Sequence, residues 1–505
     1  MPPTQSHAEI VAALTGRWPE QRVAPSLGRI SALTELLGDP QQAYPVIHLT
    51  GTNGKGSTAA MIESLLRASG LRTGRFTSPH VMAVNERITI DGESISDDRF
   101  DEVWRDIEPY VDIVDARAID GVSLTFFEVV TAMAFAAFAD APVDVAVIEV
   151  GLGGTWDATN IADAGVAVVT PIDLDHTHLL GRTVAAIAAE KAGIIKPGAQ
   201  AILAGQSREA AEVLLARCAE VGALPHREGI DFGLLDRHVA VGGQLIRVNG
   251  AEGPIDDIFL PMHGAHQAAN AAQAVAAVEA FLGLKALNHD LVREGLGQVR
   301  VPGRMEVVRR SPTVVLDAAH NPHGASAAAA AVTEAFAFSP LIGVVAAMSD
   351  KDVEGVLRTY EEVMNQVVVT QVSSTSRGMP AERLGDLAEG IFGADRVRVV
   401  PRMDDAIETA IGMADAEGVG APGVLITGSV VAVGEARTLL VGSDEQTQTD
   451  SPGASLDGDF PDEDDLDRDD LDRDDLDRDD LDRDDLDRDE PDEDELVGDD
   501  GVEWR

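Results

Sequence analysis

The sequence contains a single cysteine, Cys218. That excludes an intrachain disulfide framework and points to a reducing compartment. No apolar run reaches membrane-spanning length. The longest, Val129 to Ala139, is bounded by Glu128 and Asp140 and falls well short of the ~20 residues a span needs. The N-terminus lacks the basic start and apolar stretch of a secretory signal. These absences predict a cytoplasmic protein that does not engage a membrane. Positive charge is scarce as well: 39 Lys+Arg oppose 87 Asp+Glu, a formal net charge of −48. This excludes a nucleic-acid binder driven by phosphate-backbone attraction but leaves phosphate binding at a local site open. Lysine is rarest, 5 against 34 Arg. Such a ratio reflects a GC-rich genome or adaptation to salt and says little about chemistry.

What is present is unevenly spread. From Ser443 to Arg505 there are 31 acidic residues and 6 Arg, a net of −25; residues 1–442 carry 56 acidic and 33 basic residues, a net of −23. Five uninterrupted Asp-Leu-Asp-Arg-Asp units run from Asp465 to Asp489. A five-residue period turns each Leu by ~140° on a helix and alternates it between the faces of a strand, so no apolar stripe forms. Self-repulsion and few bulky apolar residues predict a disordered acidic tail over 443–505. A calcium-binding repeat would need turn glycines that the unit lacks.

Upstream, short apolar β-branched runs alternate with Ala/Leu-rich helical stretches, as in Val46–Leu49, Val143–Val150 and Val166–Ile172. This grammar predicts an α/β fold with a mostly parallel, buried sheet. Ser26–Leu37 and Gln267–Leu284 read as helices. Gly297, Pro302, Gly303 and Pro312 interrupt the pattern, and it restarts with candidate strands at Thr313–Leu316, Leu341–Ala346, Gln366–Gln371, Arg396–Val400 and Gly423–Ile426. The expected organisation is an ATPase-type domain over 1–300, a smaller Rossmann-like domain over 301–442, and the tail.

Five motifs carry chemistry. Gly51-Thr52-Asn53-Gly54-Lys55-Gly56-Ser57 follows the strand Val46–Leu49 and precedes a helical stretch, Thr58–Ser69, the setting of a phosphate loop. Its glycines turn amides toward phosphate oxygens, Lys55 reaches the β- and γ-phosphates, and Ser57 offers a hydroxyl to Mg²⁺. Gly56 intervenes between Lys55 and Ser57, a departure from the general spacing. Glu149 ends a strand, where an acid faces the ligand crevice and suits a magnesium ion. His176, in Asp173-Leu174-Asp175-His176, also follows a strand; its type alone leaves ligand and ordinary loop histidine open. Glu190-Lys191-Ala192-Gly193-Ile194 closes a helix that begins near Thr183, with Gly193 as a cap and Lys191 complementing the dipole. Asp317-Ala318-Ala319-His320-Asn321-Pro322-His323-Gly324 follows a strand in the second domain, with Arg304 and Glu306 upstream. An arginine beside a phosphate site offsets charge that develops in transfer.

Taken together, these residues resemble the folylpolyglutamate synthase family, with its bifunctional dihydrofolate synthase members, which belongs with the Mur ligases. The resemblance spans about 26–442. It rests on ten motifs in one order: Gly51–Ser57; Thr77-Ser78-Pro79-His80 with Asn85-Glu86-Arg87-Ile88; Leu124–Glu128; Glu149–Asn160; Leu174–Gly181; Glu190–Ile194; His266 to Asn270; Pro302–Glu306; Asp317–Gly324; and Thr427-Gly428-Ser429. It implies that Lys55 and its loop bind ATP phosphates, with Asn270, Arg304 and Asp317 as further nucleotide contacts and His320 nearby. It implies two Mg²⁺ ions held by Ser57, Ser78, Glu149, His176 and Lys191, with Lys191 carbamylated. It matches Arg87, in a mobile loop, and Thr125, Phe126 and Asp157 to the folate side. The family arginine is replaced here by Thr155, which puts substrate grip or loop packing in question.

The resemblance implies a monomeric ligase. A carboxylate of dihydropteroate or of a reduced folate attacks MgATP, and L-glutamate displaces phosphate from the acyl phosphate, with His320 assisting proton removal. The alternatives are a Mur-type ligase acting on another carboxylate and a non-catalytic P-loop nucleotide-binding protein. A chain ending near Leu440 is expected to keep its turnover; a large loss in a phosphate-release assay would show that the tail takes part.

Overall fold

A run of apolar residues can be buried on both faces only between layers of helix, and the central sheet is built in that way. The computed structural model describes residues 5–17, 24–416 and 420–442, all within the compact unit Met1–Thr447. The acidic repeats lie outside the described residues. The first sheet contains β1 (Val46–Thr50), β2 (Thr73–Phe76), β3 (Ile88–Ile90), β4 (Glu93–Ser94), β5 (Val145–Glu149), β6 (Val166–Val169), β7 (Gln200–Leu203) and β8 (Leu224–Arg227). Their spatial order is β4-β3-β2-β5-β1-β6-β7-β8. The pairs from β2 to β8 are parallel and only the β4-β3-β2 edge is antiparallel. β1 and β5 are buried along their whole length. On one face Ile47, Leu49, Val145 and Val147 pack with the helices Lys55–Ala68 and Ala265–Phe281; on the other, Val46, Ala146 and Ile148 pack with the helix Phe126–Asp140. That last helix contains the long apolar run Val129–Ala139, a buried core element. Among the described residues no helix is long and apolar enough to cross a membrane.

A second sheet spans β9 (Gly233–Ala240), β10 (Gly243–Gly250) and β11 (Gly253–Leu260), antiparallel throughout. The alternating-strand reading did not anticipate it. It is a meander whose first turn carries Gly242 at φ 77, and it packs along helix Ala265–Phe281, from Gln244 at Gly264 to Ala251 at Glu279, with Ile246, Val248, Ile255 and Ile258 in the shared core.

The C-terminal half forms a third sheet from β12 (Glu306–Arg310), β13 (Thr313–Leu316), β14 (Leu341–Val345), β15 (Gln366–Val369), β16 (Val397–Val399) and β17 (Gly423–Thr427), in the order β12-β13-β17-β14-β15-β16. All pairs except β12/β13 are parallel. β17 therefore lies between β13 and β14, and the loops after all three leave from one edge of the sheet.

Several expected boundaries move for local reasons. The phosphate-loop helix starts at Lys55, not Thr58, because Gly54 adopts φ 89 as its N-cap. Helix Val184–Lys191 does not end on a glycine cap. Its C-cap is Ala192, and a 3-10 turn, Ala192–Ile194, follows. Gly193 is small for a different reason: a Cβ there would lie 2.2 Å from Thr155 Oγ1. The expected helices at 26–37 and 267–284 occupy Gly28–Leu36 and Ala265–Phe281.

Candidate active site

Strand adjacency assembles the cleft. β5, β1 and β6 are neighbours and point the same way, with Leu49 opposite Glu149 and Thr50 opposite Val169. Their C-terminal ends therefore bring Glu149, the loop Gly51–Ser57 and the segment Thr170–His176 together. The loop is held by its neighbours. Thr52 N donates to Pro171 O at 2.9 Å, Thr170 Oγ1 to Asn53 O at 2.7 Å, and Thr52 Oγ1 and Asp173 exchange bonds of 3.0 Å. Gly51 has φ 146, and a Cβ on it would sit 1.8 Å from Thr170 Oγ1. Gly54 backs onto Asn270 of helix Ala265–Phe281, where a Cβ would come within 2.8 Å of Oδ1.

Two ammonium groups converge on one carbonyl. Lys55 Nζ donates to Gly51 O and Thr52 O at 3.3 Å each, and Lys191 Nζ donates to Gly51 O at 2.7 Å. Burial, with Lys55 as a second cause, pulls the Lys191 amine down to about 7 against the opposing pull of Asp175, Asp157 and Glu190. Glu149 is also buried, and burial raises its carboxyl although Lys55, the Ser78 amide and Arg304 favour the anion. Ser78 N donates to Glu149 Oε2 at 3.2 Å, so the loop 77–88 begins at the cleft. That loop then runs to the C-terminal half. Gly434 of helix Val430–Val441 is so close that a Cβ would meet Val81 O at 2.1 Å.

The C-terminal half supplies the facing wall. Asp317, at the end of β13, is buried; its oxygens accept from Met305 N at 3.1 Å and Ala319 N at 3.0 Å. Burial raises its carboxyl, with Arg304 as the leading opposing charge. His320 Nδ1 lies 3.1 Å from Ala318 O, which leaves Nε2 facing the Asp175 carboxylate at 3.8 Å. All the residues matched to ATP and to metal line this one cleft: the loop Gly51–Ser57, Ser78, Glu149, His176, Lys191, Asn270, Arg304 and Asp317, together with His320. Sequence reasoning missed Lys351 and named Asp175, Asn321 and His323 only as parts of motifs. Lys351 Nζ donates to Asp175 Oδ1 at 2.8 Å and lies 3.2 Å from His176 Nε2. Burial and Lys351 lower His176 to about 4. Burial alone would raise Asp175, but His320 and Lys351 hold its carboxyl well below the usual range. The available signal was position, because Lys351 follows the strand β14.

The four residues matched to folate lie elsewhere. The Arg87 guanidinium stands over the Phe126 ring, 5.0 Å from its centroid, and Arg87 Nε donates to His80 Nδ1 at 2.9 Å. Burial and Arg87 push His80 down to about 4. Thr125 caps the helix Phe126–Asp140 in a capping box with Glu128. Asp157 is buried, and its oxygens are occupied: Oδ1 accepts from Thr159 N and Oγ1 at 3.0 and 2.5 Å, and Oδ2 from Leu152 N at 2.9 Å. Its observed contacts therefore organise the Gly151–Gly154 turn. Thr155 donates from N and Oγ1 to Glu190 O, both at 3.0 Å, and borders a surface groove with Gly193 and Arg217. Thr155 thus ties the Gly151–Gly154 turn to the end of helix Val184–Lys191.

Among the described residues no three His, Cys, Asp or Glu side chains form a ready metal cluster. The donors present still fit magnesium. A buried carboxylate, Glu149, and the hydroxyls of Ser57 and Ser78 line the phosphate side of the cleft, and oxygen donors of this kind suit a hard cation that retains water and phosphate ligands.

The Mur ligase middle domain family matches residues 49–278, and the Mur ligase glutamate ligase domain family matches residues 303–430. The chain is 48% identical over 456 residues to the dihydrofolate synthase/folylpolyglutamate synthase of Mycobacterium tuberculosis, covering 86% of this chain and 93% of that one. The solved structure of Mycobacterium tuberculosis folylpolyglutamate synthase complexed with ADP superposes with a TM-score of 0.83 at 48% identity, covering 86% of this chain and 98% of that one. An FPGS–AMPPCP–folate complex superposes with a TM-score of 0.75 at 31% identity, covering 87% of this chain and all of that one.

Because Thr170 fills the space beside Gly51, Gly51→Ala is expected to distort the loop and weaken ADP binding by roughly tenfold or more in calorimetry. The far-UV dichroism is expected to stay unchanged. Unchanged ADP affinity would show that the loop tolerates the side chain.

Proposed function

This chain belongs to the folylpolyglutamate synthase/dihydrofolate synthase family of Mur-type ATP-dependent ligases, and on that premise we propose that it joins L-glutamate to dihydropteroate, to the γ-carboxylate of a reduced folate, or to both. The observation that carries the proposal is the convergence of Lys55, Lys191 and Glu149 with Arg304, Asp317 and His320 of the C-terminal half around one phosphate loop. The boundary near 300 then separates two domains that enclose the reactants.

Attack of a carboxylate on ATP brings anion against anion. The loop amides and Lys55 hold the phosphates, Arg304 faces them from the other wall, and their fixed charges act without reorganisation. Glu149, Ser57 and Ser78 would hold one Mg²⁺, and His176 with Lys191 a second; when bound, these ions neutralise phosphate charge and orient the oxygens. The substrate carboxylate oxygen bonds to the γ-phosphorus as the bond to ADP breaks, giving an acyl phosphate. His320 Nε2 takes one proton from the glutamate ammonium, the freed nitrogen bonds to the acyl carbon, and inorganic phosphate leaves carrying the second proton. Arg87, packed over the buried Phe126 and bonded to His80, would bring positive charge and an aromatic face to a pterin, and Thr125 fixes the helix end at Phe126. Asp157 supports this side by holding the Gly151–Gly154 turn.

The direct experiment supplies purified protein with MgATP, L-glutamate and either dihydropteroate or tetrahydrofolate. Amide product with stoichiometric phosphate is expected. Turnover only with a UDP-sugar peptide would favour a Mur ligase of another carboxylate, and no turnover with any acceptor would favour a nucleotide-binding switch.

Lys191 carries a second test. An ammonium cannot ligate a cation, whereas a carbamate offers anionic oxygens. Carbamylation needs the neutral amine, which predominates only above the lowered value of about 7. A carbamate signal from ¹³C-bicarbonate is therefore expected to grow as pH rises from about 6 to 8. Lys191→Ala should lose about a hundredfold or more in kcat, partly restored by short carboxylic acids. Wild-type rates in the untreated variant would refute the carbamate.

A further inference from the structure

Of the chain's five lysines, Lys55, Lys191 and Lys351 stand at this cleft, and Lys351 alone comes from the C-terminal half. It lies on the loop after β14, and both side chains of its pair with Asp175 are only 12% exposed. Asp175 belongs to the N-terminal half, and its carboxylate receives the other half on both oxygens. Oδ1 accepts from Lys351 Nζ at 2.8 Å; Oδ2 accepts from Asn321 Nδ2 at 3.1 Å. Asn321 then pairs with Asn53 at the tip of the phosphate loop through reciprocal bonds of 3.1 and 3.3 Å. Loops from two separate strand ends of the C-terminal sheet therefore meet on one carboxylate, and Asn321 ties that contact directly to the phosphate loop.

We propose that Lys351 is a positioning residue for ligation: through Asp175 it sets the C-terminal half, with Arg304 and His320, at its working distance from the phosphate loop. Lysine suits the place. Its compact ammonium presents three donors on a long stem and so reaches Asp175 and His176 together. Removing either charge of a largely buried pair leaves the other unpaired, so each single loss is costly and the double loss adds little.

The test uses the full chain, with Glu209→Cys and Glu408→Cys at exposed sites in the two halves for spin labels; Cys218 is buried. Pulsed EPR without nucleotide is expected to give one narrow distance distribution. Lys351→Met and Asp175→Asn should each broaden and lengthen it, and the double variant should add nothing. Each single variant should also lose about tenfold or more in kcat, with the folate KM held within about twofold because Arg87 and Phe126 are untouched. The kinetic arm rests on the folate reading, whereas the distance arm needs no substrate and fails or holds independently of it. Asp175→Asn preserves shape and serves if Lys351→Met does not fold. Unchanged distributions in the single variants, shifts that add in the double variant, or wild-type kcat in a single variant would each overturn the assignment.

Discussion

The carbonyl oxygen of Gly51 accepts hydrogen bonds from two lysines, Lys55 and Lys191, and the chemistry of the cleft depends on that crowding. Two ammonium groups on one acceptor repel each other, and burial denies them water. The result is visible in Lys191, whose amine is pulled down to about 7. The carboxylates of Glu149 and Asp175 offset that repulsion only in part. Gly51 can hold this position only because it has no side chain, since Thr170 occupies the space a Cβ would need. One backbone position thus shapes the phosphate loop and concentrates its charge.

The sheet makes this crowding possible. Parallel neighbours end together, so β5, β1 and β6 deliver an acid, a phosphate loop and a polar turn to one edge without any long-range design of the loops. The C-terminal sheet repeats the device with β13, β17 and β14. Facing two such edges produces a cleft in which each half contributes both charge and hydrogen-bonding amides. Neither edge alone places a cation on both sides of a phosphate.

This explains what could be read in advance. Gly51–Ser57 and Glu149 are legible because their meaning is local: a glycine-rich turn or an acid at a strand end has few other uses. The parallel sheets are legible for the same reason, since apolar runs announce strands buried on both faces. The β9–β11 meander was overlooked because its alternation is interrupted by bulges near Ile246 and Arg247. Asp157 shows the converse limit. Its motif position suggested a ligand contact, but only the fold reveals that Thr159 and Leu152 occupy both of its oxygens. Lys351 offered only its position after β14, because its partners, Asp175 and His176, lie far away in sequence.

Composition, however, carried more than its first reading allowed. The compact ammonium groups of Lys55 and Lys191 crowd onto one carbonyl in a way that a planar fork does not. Three of the five lysines, Lys55, Lys191 and Lys351, stand in or beside the cleft, together with Arg304. The net charge of −48 misleads for a related reason. It sums over a surface that water and salt screen within ~10 Å, whereas anionic substrates meet the few cations that the fold has desolvated. In this protein the sign of the whole chain and the sign of its working site are set by different residues under different physics.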